Sequence, residues 1–202
     1  MIEERDEKDL KELIDGFKAK NRNANEGLIS KAFFFSKMAH EGQKRKGGAD
    51  FFIHPLEVAK MLSKLGADEE TVCAALLHDV VEDTEATLDE VREEFGEKIA
   101  FLVEALTKTS IDFENKAERK ARYREQVKKA TEEDRRVLLI KLADRLHNIK
   151  TLHVFEEKKR VHIAKETLDF YVPLARKYGL EDFAKQLKKE SKKYLNEIQN
   201  NF

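Results

Sequence analysis

The sequence predicts an all-α fold, a compact multi-helix bundle in a single domain. Only 2 prolines and 8 glycines occur in 202 residues, and the long segments between them place apolar residues at the helical period of about 3.6. No segment shows the strict alternation of apolar and polar residues that a half-buried strand requires. We therefore predict one domain over residues 1–202, with a motif-bearing core over about 28–178.

Local start and stop signals define the first helices. A charged opening helix is predicted over 3–20, and a second helix with three consecutive phenylalanines over 28–40. The stretch EGQKRKGGAD then predicts a loop, because adjacent glycines and a basic cluster break the apolar pattern. Pro55 suits a first helical turn, where a missing N–H costs nothing. That helix is expected to run to Leu65 and to end at Gly66 in the left-handed conformation.

Two later helices are predicted to be buried. Asp68 is the expected N-cap of a helix over 69–83, whose centre is apolar on almost every side. The other buried helix carries the string RVLLIKLADRLHNI, and a weaker capping pattern, Thr131–Asp134, precedes it. The stronger capping box Thr87–Glu90 predicts a helix that ends at Gly96. Further helices are predicted over 97–108, 116–130, 158–178 and 180–198, with a kink or break at Pro173 in the third of them.

Composition excludes several classes of protein. Charged residues make up 39% and apolar residues 41% of the chain, which is typical of a soluble globular domain. A net charge of −1 gives no overall field for nucleic acid or an anionic membrane, so an anionic ligand needs a local basic patch. The charged N-terminus is unlike a secretory signal, and no apolar run approaches the ~20 residues of a membrane span. The single cysteine, Cys73, suits a reducing compartment, and we expect a cytoplasmic location.

The string HDVVED places four ionisable groups at the end of the most apolar predicted helix. His78 and Glu82 are four residues apart, and so are Asp79 and Asp83. Each pair therefore shares one face of the predicted helix. Because burial of unpaired ionisable groups is strongly unfavourable, these groups require a cation, one another, or water in a cleft.

Two further positions extend this cluster to a candidate metal site. Asp144 interrupts the apolar face of the second buried helix, with Asn148 one turn further on, and His54 stands at a helix entrance. Two imidazoles and two carboxylates suit a divalent metal of intermediate hardness, such as Mn²⁺, Fe²⁺ or Zn²⁺. Such a metal lowers the pKa of bound water and neutralises phosphoryl charge. Glu82 and Asp83 could then orient the attacking water and transfer its proton.

These motifs resemble those of the HD-domain metal-dependent phosphohydrolases, and most closely the hydrolase domain of the RelA/SpoT family of alarmone enzymes. The resemblance covers most of residues 40–152. At 202 residues, the chain is expected to be one of the small single-domain alarmone hydrolases. The strings that carry the resemblance are QKRKGGADFFIHPLEVAKML, TVCAALLHDVVEDTEATLDEV, FGEKIAFLVEALTK and RRVLLIKLADRLHNIKTL.

The resemblance implies both the metal and the reaction. The implied ligands are His54, His78, Asp79 and Asp144, usually with one Mn²⁺ ion. The implied reaction removes the 3′-pyrophosphate from ppGpp or pppGpp, giving GDP or GTP and pyrophosphate. The implied catalytic pair is the acidic pair that ends the HDVVED string, Glu82 and Asp83.

A nucleotide pocket is also implied by the resemblance. Arg45 and Lys46 of the basic loop, Asn148 and Thr151 match positions that line it. The loop has KGGADFF where the family more often has a proline and a tyrosine, and the match is poor after Lys108. Base selection, the role of segment 109–130 and the oligomeric state therefore stay open.

Other functions and simpler explanations are compatible with parts of the pattern. The same metal site could act on an adenine alarmone or on the 2′-phosphate of NADPH, or the domain could bind alarmone without hydrolysis. The intact Glu82–Asp83 pair argues against a pure sensor. Taken singly, His54 could be a capping or surface histidine, His78 a core histidine bonded to a neighbour, and Asp144 a buried ion-pair partner of Arg145 or of another arginine. Their joint occurrence with the flanking strings favours the metal site.

Charged side chains outside the candidate ligand set have other expected roles. Lys141 and Arg145 flank Asp144 and could contact phosphate, although Lys141 could equally be a solvated cation. The remaining histidines are predicted to be structural or exposed, and they are His40, His147, His153 and His162.

Overall fold

The structure, a computed structural model, describes residues 4–21, 25–108 and 115–199. Within these ranges the chain folds into helices and turns without a β-strand, which confirms the predicted all-α class. The helices are α1 (Glu4–Lys18), α2 (Glu26–Ala39), α3 (Ile53–Lys64), α4 (Glu69–Leu77), α5 (Val80–Asp83), α6 (Leu88–Phe95), α7 (Glu97–Leu106), α8 (Lys116–Glu133), α9 (Arg136–Lys150), α10 (Glu157–Glu166), α11 (Val172–Lys177) and α12 (Glu181–Gln199).

The chain divides into two compact units. The first consists of Met1–Gln43 and Asp50–Ile140, and the second of Lys44–Ala49 and Lys141–Phe202. The division falls within α9. None of the helices in the described part of the chain has the length and apolar character needed to cross a bilayer.

Helix α4 is the centre of the first unit. Every residue of Thr71–Leu77 is buried, and α2, α3 and α7 pack around the helix. Ala74 and Ala75 are fully buried, and their small side chains allow neighbouring helices to approach closely. The predicted N-cap is confirmed, because the Asp68 carboxylate accepts a hydrogen bond from the Thr71 N–H at 2.8 Å.

Local sequence signals specify several other helix ends. The capping box of α6 is complete, with reciprocal hydrogen bonds between Thr87 and Glu90. Gly66 and Gly96 have φ angles of 80° and 85°, the left-handed region that favours glycine. Both glycines were expected to end helices, and α3 and α6 do end beside them.

Two sequence-based boundaries are wrong. The helix predicted over 69–83 ends at Leu77, and a separate helical turn begins at Val80. Thr131 does not cap α9 but lies within α8, where its hydroxyl donates to the Val127 carbonyl at 2.6 Å. Asp134 takes the capping position instead, because its carboxylate accepts from the Arg136 N–H at 2.9 Å.

Helix α8 fixes the end of α7. The side-chain amide of Gln126 donates to the carbonyls of Glu104, Ala105 and Thr107 at 3.0–3.2 Å. These carbonyls lie at the C-terminus of α7, where intrahelical donors are lacking. Within the segment of uncertain role, 109–130, residues 109–114 lie outside the described residues, and 116–130 belong to α8.

The second unit is built on α12, against which α10 and α11 pack. The helix predicted over 158–178 is interrupted by a π-helical turn, Thr167–Tyr171, before α11 begins. The Val172 N–H donates to the Thr167 carbonyl, five residues earlier. The following Pro173 has no N–H and stands in the first turn of α11, so the predicted break is confirmed.

Candidate metal centre

Three of the four predicted metal ligands come together in the first unit. His54 lies in the first turn of α3, His78 directly follows α4, and Asp79 precedes α5. The Asp79 carboxylate has one oxygen 3.6 Å from His54 Nε2 and the other 3.3 Å from His78 Nε2. The ligand nitrogens of the two histidines lie within 4.8 Å of each other. The side chains thus present two imidazole nitrogens and a carboxylate to one small volume.

A hydrogen bond within the last turn of α4 sets the form of His78. Its Nδ1 lies 2.8 Å from the Ala75 carbonyl, which can only accept, so Nδ1 carries the proton. The Nε2 atom is buried and has no hydrogen-bond partner among the described residues, so its lone pair is available to a cation. Metal-binding histidines are held in the same way, with one nitrogen hydrogen-bonded and the other directed at the metal. The donor set therefore fits a divalent cation.

The acidic pair Glu82–Asp83 lies on the helical turn that follows these ligands. Lys108 Nζ is 2.5 Å from Glu82 Oε1, and the Lys108 N–H donates to Glu82 Oε2 at 3.3 Å. Burial raises the pKa of Asp83 to about 6, and the charges of Asp79 and Glu82 add to the shift. Asp83 can therefore exchange a proton near neutral pH.

An open cleft gives solvent access to this pair. It has a volume of about 820 Å³, and its lining includes Phe35, Gln43, Glu82, Asp83 and Thr84.

Lys108 was not assigned a role from the sequence, since it lies 26 residues from Glu82. The only available signal was its position at the end of the matching string FGEKIAFLVEALTK.

The fourth predicted ligand, Asp144, lies in the second unit on α9. Its side chain is 9% exposed, and Lys141 Nζ lies 2.8 Å from Oδ2. Asn148, one turn later, donates to Oδ1 of Asp144. Lys141 is therefore a partly buried ion-pair partner, with its side chain 12% exposed, and not a fully solvated cation.

Arg145 has different partners from those considered at the sequence level. Its guanidinium pairs with Glu166 at 3.2 Å and lies 4.1 Å from the centroid of the Tyr171 ring. Asp144 pairs with Lys141 instead. Arg145 is thus engaged with α10 and the π turn.

The four predicted substrate-binding residues all belong to the second unit. Arg45 Nη2 donates to Asn148 Oδ1 at 2.7 Å, which brings these two predicted residues together. Lys46 Nζ stands 5.0 Å from the Phe155 ring centroid, and Thr151 donates to the His147 carbonyl at 3.2 Å. The Thr151 hydroxyl also lies 3.3 Å from the Asn148 carbonyl, so Thr151 adjoins the Arg45–Asn148 pair, whereas Lys46 contacts Phe155.

Comparisons with known proteins show what this chain is similar to. A family model described as "HD domain" matches residues 32–181. The chain is 47% identical over 189 residues to the guanosine-3′,5′-bis(diphosphate) 3′-pyrophosphohydrolase of Aquifex aeolicus, covering 94% of this chain and 26% of that protein. It is 44% identical over 186 residues to the GTP pyrophosphokinase rsh of Brucella melitensis, covering 92% of this chain and 25% of that one. The chain therefore spans about a quarter of the length of these curated relatives.

A solved structure is similar over most of both chains. It is described as a metazoan ortholog of SpoT that hydrolyzes ppGpp and plays a role in starvation responses. The TM-score is 0.66 at 28% identity, and the match covers 83% of this chain and 97% of that one. This chain and that structure are therefore similar in the arrangement of their helices as well as in sequence.

Proposed function

Because this chain belongs to the HD-domain family, we propose that it is a metal-dependent hydrolase that removes the 3′-pyrophosphate from ppGpp or pppGpp, giving GDP or GTP and pyrophosphate. The observation that carries the proposal is the cluster of His54, His78 and Asp79, with the His78 lone pair buried at its centre. The names of the Aquifex relative and of the metazoan structure support the choice of substrate.

The proposed cofactor is one divalent cation held by His54, His78 and Asp79. Asp144 is proposed as the fourth ligand from the sequence motif alone. A mixed set of imidazole and carboxylate ligands suits several first-row metals, and we propose Mn²⁺. Such a cation, when bound, lowers the pKa of a water molecule and neutralises phosphoryl charge.

The proposed chemistry assigns distinct roles to the acidic pair. Water adds to the phosphorus that is attached to the 3′ oxygen, the bond between them breaks, and a proton must reach that oxygen. Burial raises the pKa of Asp83 to about 6. Asp83 is proposed to accept the proton from the attacking water and to transfer it to the 3′ oxygen. Glu82, held by Lys108, is proposed to orient the water.

The proposed nucleotide contacts come from the basic loop and α9. Arg45 and Lys46 supply cations for phosphate groups, and Asn148 and Thr151 supply hydrogen-bonding groups. A small-molecule nucleotide is thus the proposed partner, without nucleic acid or membrane. We also propose a cytoplasmic location, because the single cysteine, Cys73, is a buried free thiol, which suits a reducing compartment.

The direct test is incubation of the protein with ppGpp, with and without Mn²⁺, followed by chromatographic identification of the products. We expect GDP and pyrophosphate in equal amounts, and only when the metal is present. The same assay with an adenine alarmone and with NADPH provides the comparison. Free phosphate from NADPH as the sole product would favour the alternative substrate, and tight ppGpp binding without turnover would favour a sensor.

Lys108 is predicted to set the pH dependence of the reaction. The Lys108 ammonium lowers the pKa of Asp83, so its removal in Lys108→Met raises that pKa. Because Asp83 must be ionised to accept a proton, the rising limb of the plot of kcat against pH is expected to move to higher pH. Lys98→Met is the matched control, since Lys98 is 73% exposed and pairs with Glu70. An unmoved limb in Lys108→Met would contradict the role of Asp83.

A further inference from the structure

His40 is a buried histidine that has no role in the mechanism above, and Gln43 links it to the turn that carries Glu82 and Asp83. It directly follows α2 and is 2% exposed. Its ring stacks on Phe51 with a centroid distance of 4.6 Å, and its Nδ1 lies 3.0 Å from Gln43 Oε1. His40 also interacts electrostatically with Asp79 and His78. The ring is therefore held in place by Phe51 and Gln43, and the charges of Asp79 and His78 act on it.

Gln43 determines which nitrogen of His40 carries the proton. Its side-chain NH₂ donates to the Asp83 carbonyl at 2.7 Å, so its Oε1 is the atom that faces His40. An amide oxygen can only accept, and Nδ1 of His40 must therefore be the donor. Burial lowers the pKa of His40, which keeps the ring neutral. Nε2 is then a lone pair.

The Nε2 lone pair of His40 lacks a hydrogen-bond partner among the described residues, and it is buried. Leaving a buried acceptor unpaired is unfavourable, so a donor is needed. The two groups of the metal centre that act on His40 cannot provide one. The Asp79 carboxylate accepts only, and the Nδ1 proton of His78 is directed at the Ala75 carbonyl. A water molecule can donate to several such acceptors at once.

We propose that His40 is a positioning residue, whose Nε2 accepts a hydrogen bond from a water molecule beside Asp79 and His78. Gln43 holds the ring in the required tautomer and, through the Asp83 carbonyl, ties it to the turn that carries the acidic pair. The inference rests on the metal centre of the proposed function. It adds a hydrogen-bond acceptor that orients water without itself binding the cation.

Nitrogen-15 NMR of histidine side chains tests the tautomer without activity. In the metal-free protein at neutral pH, His40 is expected to show a protonated Nδ1 and an unprotonated Nε2. Gln43→Leu removes the oxygen that fixes the ring, and we expect a mixture of the two tautomers. A proton on Nε2 in the wild-type protein, or an unchanged tautomer in Gln43→Leu, would overturn the proposal. Zn²⁺, which is diamagnetic, is then added as the probe of the metal centre.

Two isosteric substitutions separate the functions of the ring nitrogens. In His40→Asn the amide NH₂ replaces Nδ1 and retains the bond to Gln43, but the acceptor at Nε2 is lost. In His40→Gln the amide reaches the Nε2 position. We expect kcat to fall about tenfold in His40→Asn, the effect of one hydrogen bond, with little change in KM, and to recover in part in His40→Gln. The exposed His162 provides the matched control, His162→Asn.

The outcomes distinguish this inference from the proposed function. If Zn²⁺ leaves the His54 and His78 signals unchanged, the metal centre itself is wrong, whatever the tautomer of His40. If Zn²⁺ shifts those signals and also perturbs His40 Nε2 by a smaller amount, the inference is supported. Zn²⁺ binding that leaves His40 Nε2 unaffected, or wild-type kcat in folded His40→Asn, would overturn it.

Discussion

Replacing Asp79 with alanine is expected to abolish metal-dependent hydrolysis, with kcat lowered about 10³-fold or more. The carboxylate faces both histidines, with one oxygen 3.6 Å from His54 Nε2 and the other 3.3 Å from His78 Nε2. Its loss removes the anionic ligand between the two imidazoles. A thousandfold fall corresponds to about 4 kcal/mol, which is within the several kcal/mol that a bound metal supplies. Calorimetric titration with Mn²⁺ and product chromatography measure the two effects.

A matched control separates this effect from a change in surface charge. Asp89 is an aspartate on α6 whose side chain is 86% exposed, and Asp89→Ala is expected to retain metal affinity and turnover. Circular dichroism should show that Asp79→Ala remains helical, because its side chain lies at the site and not in the apolar core. Full metal-dependent turnover by Asp79→Ala would refute the proposed centre.

Replacing Arg145 with methionine is expected to destabilise the protein by about 3–5 kcal/mol. The guanidinium side chain is 14% exposed, and its partner Glu166 is 9% exposed. Removing one member of a buried ion pair leaves the other charge buried without that attraction, and the cost can exceed the strength of the attraction itself. The methionine also loses the contact of the cation with the Tyr171 ring. Urea denaturation of the metal-free protein measures the free energy of unfolding.

Two comparisons test the cause of this destabilisation. Arg92→Met breaks the ion pairs of a more exposed arginine with Asp89 and Glu97, and we expect a loss of at most about 1 kcal/mol. Arg145→Met combined with Glu166→Leu removes both buried charges and should recover much of the stability. A single-variant loss equal to that of Arg92→Met would show that the buried charge is not the cause.

The predictable part of the fold is the part encoded by neighbouring residues. The capping box Thr87–Glu90 and the N-cap Asp68 were identified because their hydrogen-bonding partners lie three residues away. The left-handed glycines and the break at Pro173 likewise follow from backbone sterics. His78, Asp79 and Asp144 could be proposed as ligands because they interrupt predicted apolar helices, where an ionisable group requires a partner.

The interruption between α4 and α5 could not be predicted from the same information. The apolar pattern continues through His78 and Asp79, so a period of about 3.6 favours one helix. The bond from His78 Nδ1 to the Ala75 carbonyl occupies an acceptor at the end of α4. In an unbroken helix, adjacent residues point about 100° apart. The break allows both side chains to face the same point.

Pairs that are distant in the sequence were missed for a different reason. Lys108 and Glu82 are 26 residues apart, and Gln43 and the Asp83 carbonyl are 40 apart. Neither pair has a periodicity or a local spacing, since tertiary packing alone brings the partners together. His40 was therefore predicted to be structural or exposed, although its buried ring interacts with two of the proposed ligands.

The π turn Thr167–Tyr171 has a consequence for how the second unit tolerates insertions and deletions. A π turn accommodates one more residue than an α-helical turn. Every side chain after it is therefore rotated about the helix axis by about 100° relative to its position in an uninterrupted α-helix. Shortening this turn by a single residue, such as the exposed Asp169, would restore regular backbone bonding. It would also rotate Tyr171 away from Arg145. The irregular backbone of the π turn therefore maintains the contact between Tyr171 and Arg145, and a regular α-helix would break it.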